Sequence, residues 1–243
     1  MHARTLALVA FAACLVAPGA IAKSPVAIAS SMPPADARLH YLDAAKFVAQ
    51  RMVAAPPAAG SAAEALDLTR LRALIAAATP DRMAQAQWDG GHEDPSLFSA
   101  TIDRDLTKLP ATWALLTLIG KETDVVLDQG KDFFARKRPY SVDSTLPACV
   151  KDRMSKPARS YPSGHAGIGY AIGWTLASLL PEQAPQILAR ADDYALSREI
   201  CGVHFHADTE ASHVIGTLAA ATLLKDRRLA RQIAAARAEL AGH

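Results

Sequence analysis

The sequence predicts an all-α fold, a single-domain bundle of roughly seven to nine helices. Three observations carry this reading. Half of the 243 residues are apolar but only 6% are aromatic, so Ala and Leu, both strong helix formers, supply most of the hydrophobicity. Apolar residues recur at three- and four-residue intervals through most of the chain. No stretch alternates apolar and polar residues as a half-buried strand does. The length suits one domain with a sizeable core.

The N-terminus reads as a targeting segment. His2 and Arg4 form a short basic start, Leu6 to Ala17 is an apolar run, and Ala20-Ile21-Ala22 is a small-x-small cleavage site. Residues 1–22 are therefore expected to be a signal peptide and residues 23–243 the functional domain. Phe11-Ala12-Ala13-Cys14 loosely resembles a lipoprotein signal, although Phe is a poor first residue for one.

Leu42, Ala45, Ala49 and Met52 mark a first helical stripe, and Leu68, Leu71, Ile75 and Ala78 a second, with a loop around Pro56 to Ala63. Thr79-Pro80-Asp81 reads as an N-cap, a first-turn proline and an acidic first turn. Asp89 to Pro95, with two glycines and a proline, is expected to be loop. A long helix is predicted from about Pro110 to about Arg136, ending before Pro139, which biases Arg138 away from helical geometry. Residues 140–160 lack periodicity. Pro162 opens the next helix, to Leu180; Ile187, Leu188, Ala191, Tyr194 and Ala195 define another, interrupted at Gly202. A helix from about Ala207 to Leu224 and a charged terminal one complete the chain. Gly169, Gly173 and Ala177, four apart, are expected to admit a neighbouring helix closely.

Composition excludes some function classes. A net charge of +2 with no basic arm does not suit a nucleic-acid binder. Beyond the leader, the best apolar run, Ala166 to Leu180, is too short to span a bilayer.

Three segments carry chemistry. Lys131 and Arg138 are seven apart, which on a continuous helix puts both cations on one face. Arg136, only two residues from Arg138, is then expected to face elsewhere and to be dispensable. Pro162-Ser163-Gly164-His165 precedes an apolar helix, so free backbone N–H groups at the positive end of its dipole, with the Ser163 hydroxyl, form an oxyanion cradle. In the third segment His204 and Asp208 are four apart, so that the carboxylate can accept the ring N–H and leave the other nitrogen as a nucleophile. Arg198, beyond the break at Gly202, can fold back as a further anion-binding cation. Singly, each has a plain alternative: a solvated charged face, an N-cap turn, a surface His–Asp pair. Together they form a kit for phosphoryl transfer without a metal.

In order and spacing, Lys131-x6-Arg138-Pro139, Arg159-Ser-Tyr-Pro-Ser-Gly-His165 and Ser197-Arg-Glu-Ile-Cys-Gly-Val-His204 resemble the signature of the type 2 phosphatidic acid phosphatase superfamily, which includes vanadium-dependent haloperoxidases. Within it the chain looks most like the class A bacterial non-specific acid phosphatases, over nearly the whole chain beyond the expected leader. The resemblance implies an α-helical, metal- and cofactor-independent phosphomonoesterase of the periplasm or exterior, inhibited by vanadate, with a small phosphomonoester as substrate and a homo-oligomeric state open. It implies that Lys131, Arg138, Arg198, Ser163 and Gly164 bind phosphate, His204 attacks phosphorus, Asp208 orients it and His165 protonates the leaving alcohol. The chain departs from the family after His204. An aromatic, a variable residue, Ser and Asp are usual there, and here the run is Phe205-His206-Ala207-Asp208. His206 thus adds an imidazole near the expected pocket, which bears on substrate preference and pH profile.

Two other enzyme readings and one non-enzymatic reading fit the sequence less well. His204-x-His206-x-Asp208 resembles the start of a zinc metallo-hydrolase motif, but Thr209 stands where that motif has another histidine, and its fold is β-rich. A vanadate-dependent haloperoxidase uses the same pocket residues but is a larger protein. A phosphate-binding protein gains nothing from pairing His204 with Asp208.

With Cys14 in the leader, Cys149 and Cys201 remain, and an even pair in an exported chain favours a disulfide. Cys149 lies in the crossover between the first two motifs and Cys201 inside the third, so folding of the site is expected to bring them close. The exported protein is expected to begin at Lys23. N-terminal sequencing tests this, and an intact Met1 or a lipidated Cys14 would overturn it.

Overall fold

The computed structural model describes residues 38–149 and 158–242, all within the unit Met32–His243. The expected leader lies outside the described residues. Among the described residues there is no strand, and the chain forms α1 (Ala49–Met52), α2 (Ala62–Ala77), α3 (Pro80–Gly91), α4 (Pro110–Phe134), α5 (Pro139–Val142), α6 (Gly164–Leu179), α7 (Ala184–Ile200), α8 (His206–Leu223) and α9 (Ala230–Ala241). The all-α class holds.

The most apolar helix lies at the centre. Along α6 only Trp174 and Ser178 are exposed, and the helix packs against α4, α7 and α8. Leu116, Ile119 and Leu127 of α4, Ile168, Ile172 and Leu176 of α6, Tyr194 of α7 and Ile215 of α8 belong to one core. A helix that is apolar nearly all round must be covered on most sides, and α6 is, save at Trp174 and Ser178.

Small residues set how closely the helices approach. A Cβ on Gly169 would meet the Tyr194 ring, and one on Gly173 would meet Ala191 Cβ, so the four-residue repeat on α6 faces α7 as expected. A further close crossing lies outside that repeat: a Cβ on Gly216 of α8 would come 2.3 Å from the Gly167 carbonyl oxygen on α6.

Side-chain caps start both α2 and α3, and the Thr79 cap is the one the sequence leads one to expect. Ser61 accepts from Glu64 N at the head of α2, and Thr79 from Arg82 N at the head of α3. Three expectations need correction. The stripe from Leu42 to Met52 becomes a single helical turn, because buried Glu122 of α4 accepts the backbone N–H groups of His40, Tyr41 and Leu42 and holds that segment open. Asp89 to Gly91, expected as loop, continue α3. Asp89 is buried there against Arg190 and the Ser197 hydroxyl, which anchors the helix end to α7. α4 stops at Phe134, two residues early, because Ala135 turns left-handed at φ 46° and ψ 36°.

Cys149 and Cys201 come together, with Cα atoms 4.9 Å apart and a backbone bond from Cys149 N to Cys201 O. That separation is within disulfide reach. Gly202 beside them has φ +65°, and a Cβ there would lie 2.1 Å from the Pro147 carbonyl oxygen, so only glycine fits this turn.

Gly216→Ala is expected to force α6 and α8 apart and to cost about 2 kcal/mol or more, within the usual range for overpacking. Urea or thermal unfolding measures it, and an unchanged midpoint would show that the crossing yields freely.

Candidate active site

The three chemistry-bearing segments meet where helices end. Lys131 lies in the last turn of α4, Ser163 caps α6, Arg198 lies in the last turn of α7, and His204 sits in the break before α8. Free backbone N–H groups and helix-end charges therefore converge with the side chains.

His204 is almost fully buried, and its surroundings fix its tautomer. Nδ1 lies 2.7 Å from the Ser160 carbonyl oxygen and 3.4 Å from Asp208 Oδ2. Both are acceptors, so Nδ1 carries the proton. Nε2 then presents its lone pair, 3.0 Å from Arg138 Nη1. The sequence reading gave this orienting job to Asp208 alone; the shorter bond is to Ser160. Burial, and then the Arg138 charge, lower the His204 pKa to about 3 against the opposing pull of Asp208. The imidazole is thus neutral through the acidic-to-neutral range.

Asp208 has no exposed surface. Oδ1 accepts from Arg136 Nη1 at 2.7 Å, and Oδ2 accepts from the Ser160 hydroxyl at 2.5 Å and from Phe205 N at 2.9 Å. Burial raises its pKa, but the bond to His204 and the Arg136 guanidinium outweigh this, so the carboxyl lies below its ordinary value. The Phe205 bond also caps α8.

Arg136 corrects the sequence reading. Because α4 ends at Phe134, Lys131 and Arg138 do not share one helical face, and Arg136 does not point away. Its guanidinium is buried between Asp208 and Asp67, the latter 3.1 Å from Nη2, and lies over the Phe205 ring at 4.0 Å. A two-residue offset means opposite faces only while a helix continues.

Arg138, held extended before Pro139, donates Nη1 to the Val203 carbonyl at 2.9 Å. Arg198 is 2% exposed, and its charge, like that of Arg138, bears on His204. Lys131 Nζ pairs with Asp128 at 2.7 Å, and a Cβ on Gly164 would lie 2.7 Å from the same Nζ, so the ammonium lies against the start of α6. Ser163 N donates to the Asp208 carbonyl, and Ser212 Oγ lies 2.8 Å from Ser163 O and 2.7 Å from Asp208 O, fixing the head of α6 to α8.

His165 is buried, with Nδ1 2.7 Å from Glu93 Oε1. His206 has turned instead to Glu199, at 3.1 Å. The His204-x-His206-x-Asp208 run does not gather a ligand set, and no cluster of three metal-ligating side chains is present among the described residues.

All eight expected site residues thus lie at or beside this junction of helix ends. Arg136, Ser160 and Glu93 were missed. Ser160 sits inside a quoted motif, but the atom that matters is its backbone oxygen, which carries no sequence signal.

A buried, neutral histidine amid cations at helix ends defines an anion-handling centre of a helical phosphatase type. The chain belongs to the PAP2 superfamily, which it matches over residues 109–231. It is 31% identical over 195 residues to an acid phosphatase of Zymomonas mobilis subsp. mobilis, covering 77% of this chain and 74% of that one. It is 33% identical over 135 residues to a non-specific acid phosphatase of Providencia stuartii, covering 54% of each. A non-specific acid phosphatase of Salmonella typhimurium is 28% identical over 133 residues, which cover 54% of this chain and 53% of that one.

Arg136→Ala leaves two carboxylates without their buried cation, and is expected to cost about 3–5 kcal/mol of stability along with most of the activity. Unfolding midpoint and turnover measure it. A silent substitution would restore the view that Arg136 is dispensable.

Proposed function

We propose that this acid phosphatase is an exported enzyme that hydrolyses small phosphomonoesters in two steps, through a phosphohistidine on His204. The observation that carries the reading is the aim of Nε2. Burial holds the ring neutral, and the Nε2 lone pair is directed at the Arg138 guanidinium, where an anion would be bound.

In the first step the phosphoryl group enters between them. Arg138, Arg198, Lys131, the Ser163 hydroxyl and the Gly164 backbone N–H take its oxygens, and Arg138 turns from Nε2 onto oxygen. Nε2 donates its electron pair to phosphorus as the ester P–O bond breaks, and His165 gives its Nε2 proton to the departing oxygen. Positive charge developing on the His204 ring is met by Asp208, itself held ionised by Arg136. In the second step water attacks phosphorus, its proton passes to a phosphoryl oxygen, the P–N bond breaks with its electron pair returning to Nε2, and phosphate leaves; His165 regains its proton from solvent. This cycle uses no metal or cofactor, and vanadate, a tetrahedral oxyanion that becomes five-coordinate on bonding to a nucleophile as the transferring phosphoryl group does, is expected to inhibit it. The leader at residues 1–22, with 23–243 as the working domain, and a Cys149–Cys201 disulfide suit an oxidising compartment.

His204→Ala is expected to abolish turnover of every ester and to prevent trapping of labelled phosphate on the protein. His165→Ala should retain turnover of nitrophenyl phosphate, whose leaving group departs without a proton, and lose about a hundredfold or more on alkyl phosphates. Label on His204→Ala, or equal losses on both ester classes in His165→Ala, would overturn the assignment.

A further inference from the structure

Glu93 occupies a short loop between α3 and the 3₁₀ turn Pro95–Phe98, and its carboxylate lies 2.7 Å from His165 Nδ1. The loop is fixed at both ends. Before it, Asp89 is anchored by Arg190 and Ser197, and the Tyr194 hydroxyl donates to the His92 carbonyl at 2.6 Å. After it, Asp94 accepts from Ser96 N at 2.8 Å. Tyr194 also backs the His165 ring, nearly parallel at 6.2 Å between centroids. One tyrosine therefore steadies both the imidazole and the backbone beside its carboxylate partner. A Cβ on Gly164 would lie 3.7 Å from Glu93 Oε1, so the carboxylate reaches the same helix head as Lys131.

We propose that Glu93 is the positioning residue for the general acid. Its carboxylate accepts the Nδ1 proton of His165, sets the ring so that Nε2 addresses the leaving oxygen, and supports the imidazolium that must form before that proton is given up. Like a carboxylate behind any acid–base histidine, it acts through the ring and touches no reacting atom. The assignment rests on His165 being the acid, as proposed above. No proton is consumed on Glu93: the Nδ1 proton stays on the ring through the cycle, and only the Nε2 proton moves to the leaving oxygen and returns from water.

The consequence is selective. An ester whose leaving group needs a proton depends on Glu93, and one whose leaving group does not is indifferent to it. Glu93→Gln, nearly isosteric, removes the charge; Glu93→Ala removes the contact. Each is compared with wild type and His165→Ala on nitrophenyl phosphate and on ethyl phosphate, with kcat and KM separated. The expected result for Glu93→Ala is an ethyl phosphate kcat lowered roughly tenfold or more at little-changed KM, with nitrophenyl phosphate turnover and phosphate labelling of His204 retained. Glu93→Gln should lie between, and should add no loss on a His165→Ala background. Retained nitrophenyl turnover also reports that the site is folded; should Glu93→Ala not fold, Glu93→Gln carries the test. Wild-type kcat on both esters in the Glu93 variants, with His165→Ala still selective, would overturn the role of Glu93 alone. Equal losses on both esters in Glu93→Gln would overturn it as well. A non-selective His165→Ala would overturn the acid assignment, and the role of Glu93 with it.

Discussion

A carboxylate with no exposed surface is unstable in a protein interior unless its lone pairs are taken up, and Asp208 is built around that requirement. Its partners come from separate parts of the chain. Arg136 arrives from the segment after α4, Ser160 from the approach to α6, and the Phe205 N–H and His204 from the head of α8 itself. Satisfying one buried charge thus ties three stretches of chain at one point, and the same point orients the histidine. Removing any partner leaves polar atoms stranded where water does not reach, so structure and site are coupled here.

Helix ends are the second constraint. α4 stops at a left-handed Ala135, α6 begins at Ser163 and Gly164, and Gly202 breaks the chain between α7 and α8. Side chains and backbone donors leave the helices at these places, and close packing brings the places together. Gly216 lets α8 lie against the Gly167 backbone on α6, while Gly169 and Gly173 admit Tyr194 and Ala191 of α7. The tight core and the position of the site are one arrangement.

The two histidines differ in their carboxylate partners. His204 is buried among cations, which keeps its ring neutral, and Asp208 moderates this from 3.4 Å. His165 has Glu93 at 2.7 Å. In the proposed mechanism the first ring is the nucleophile and the second the acid. Asp124 of α4, whose carboxyl burial raises to about 6 against the pull of Lys131, lies on the Lys131 side.

Composition and periodicity by themselves determined that the chain is helical and where α4, α6, α7 and α8 run to within a few residues, because breakers, caps and apolar repeats are local properties of sequence. Lys131, Arg138, Ser163, Gly164, His165, Arg198, His204 and Asp208 were legible because each sits in an ordered motif. Tertiary structure alone decided the rest. It turned Arg136 inward, since the end of α4 at Ala135 leaves no mark that local sequence rules read. It extended α3 through Asp89, because the anchoring partners Arg190 and Ser197 are a hundred residues away. It chose a Ser160 backbone oxygen for His204 and Glu93 for His165, because a hydrogen bond between distant segments depends on how helices pack, and no local pattern in either segment encodes its partner.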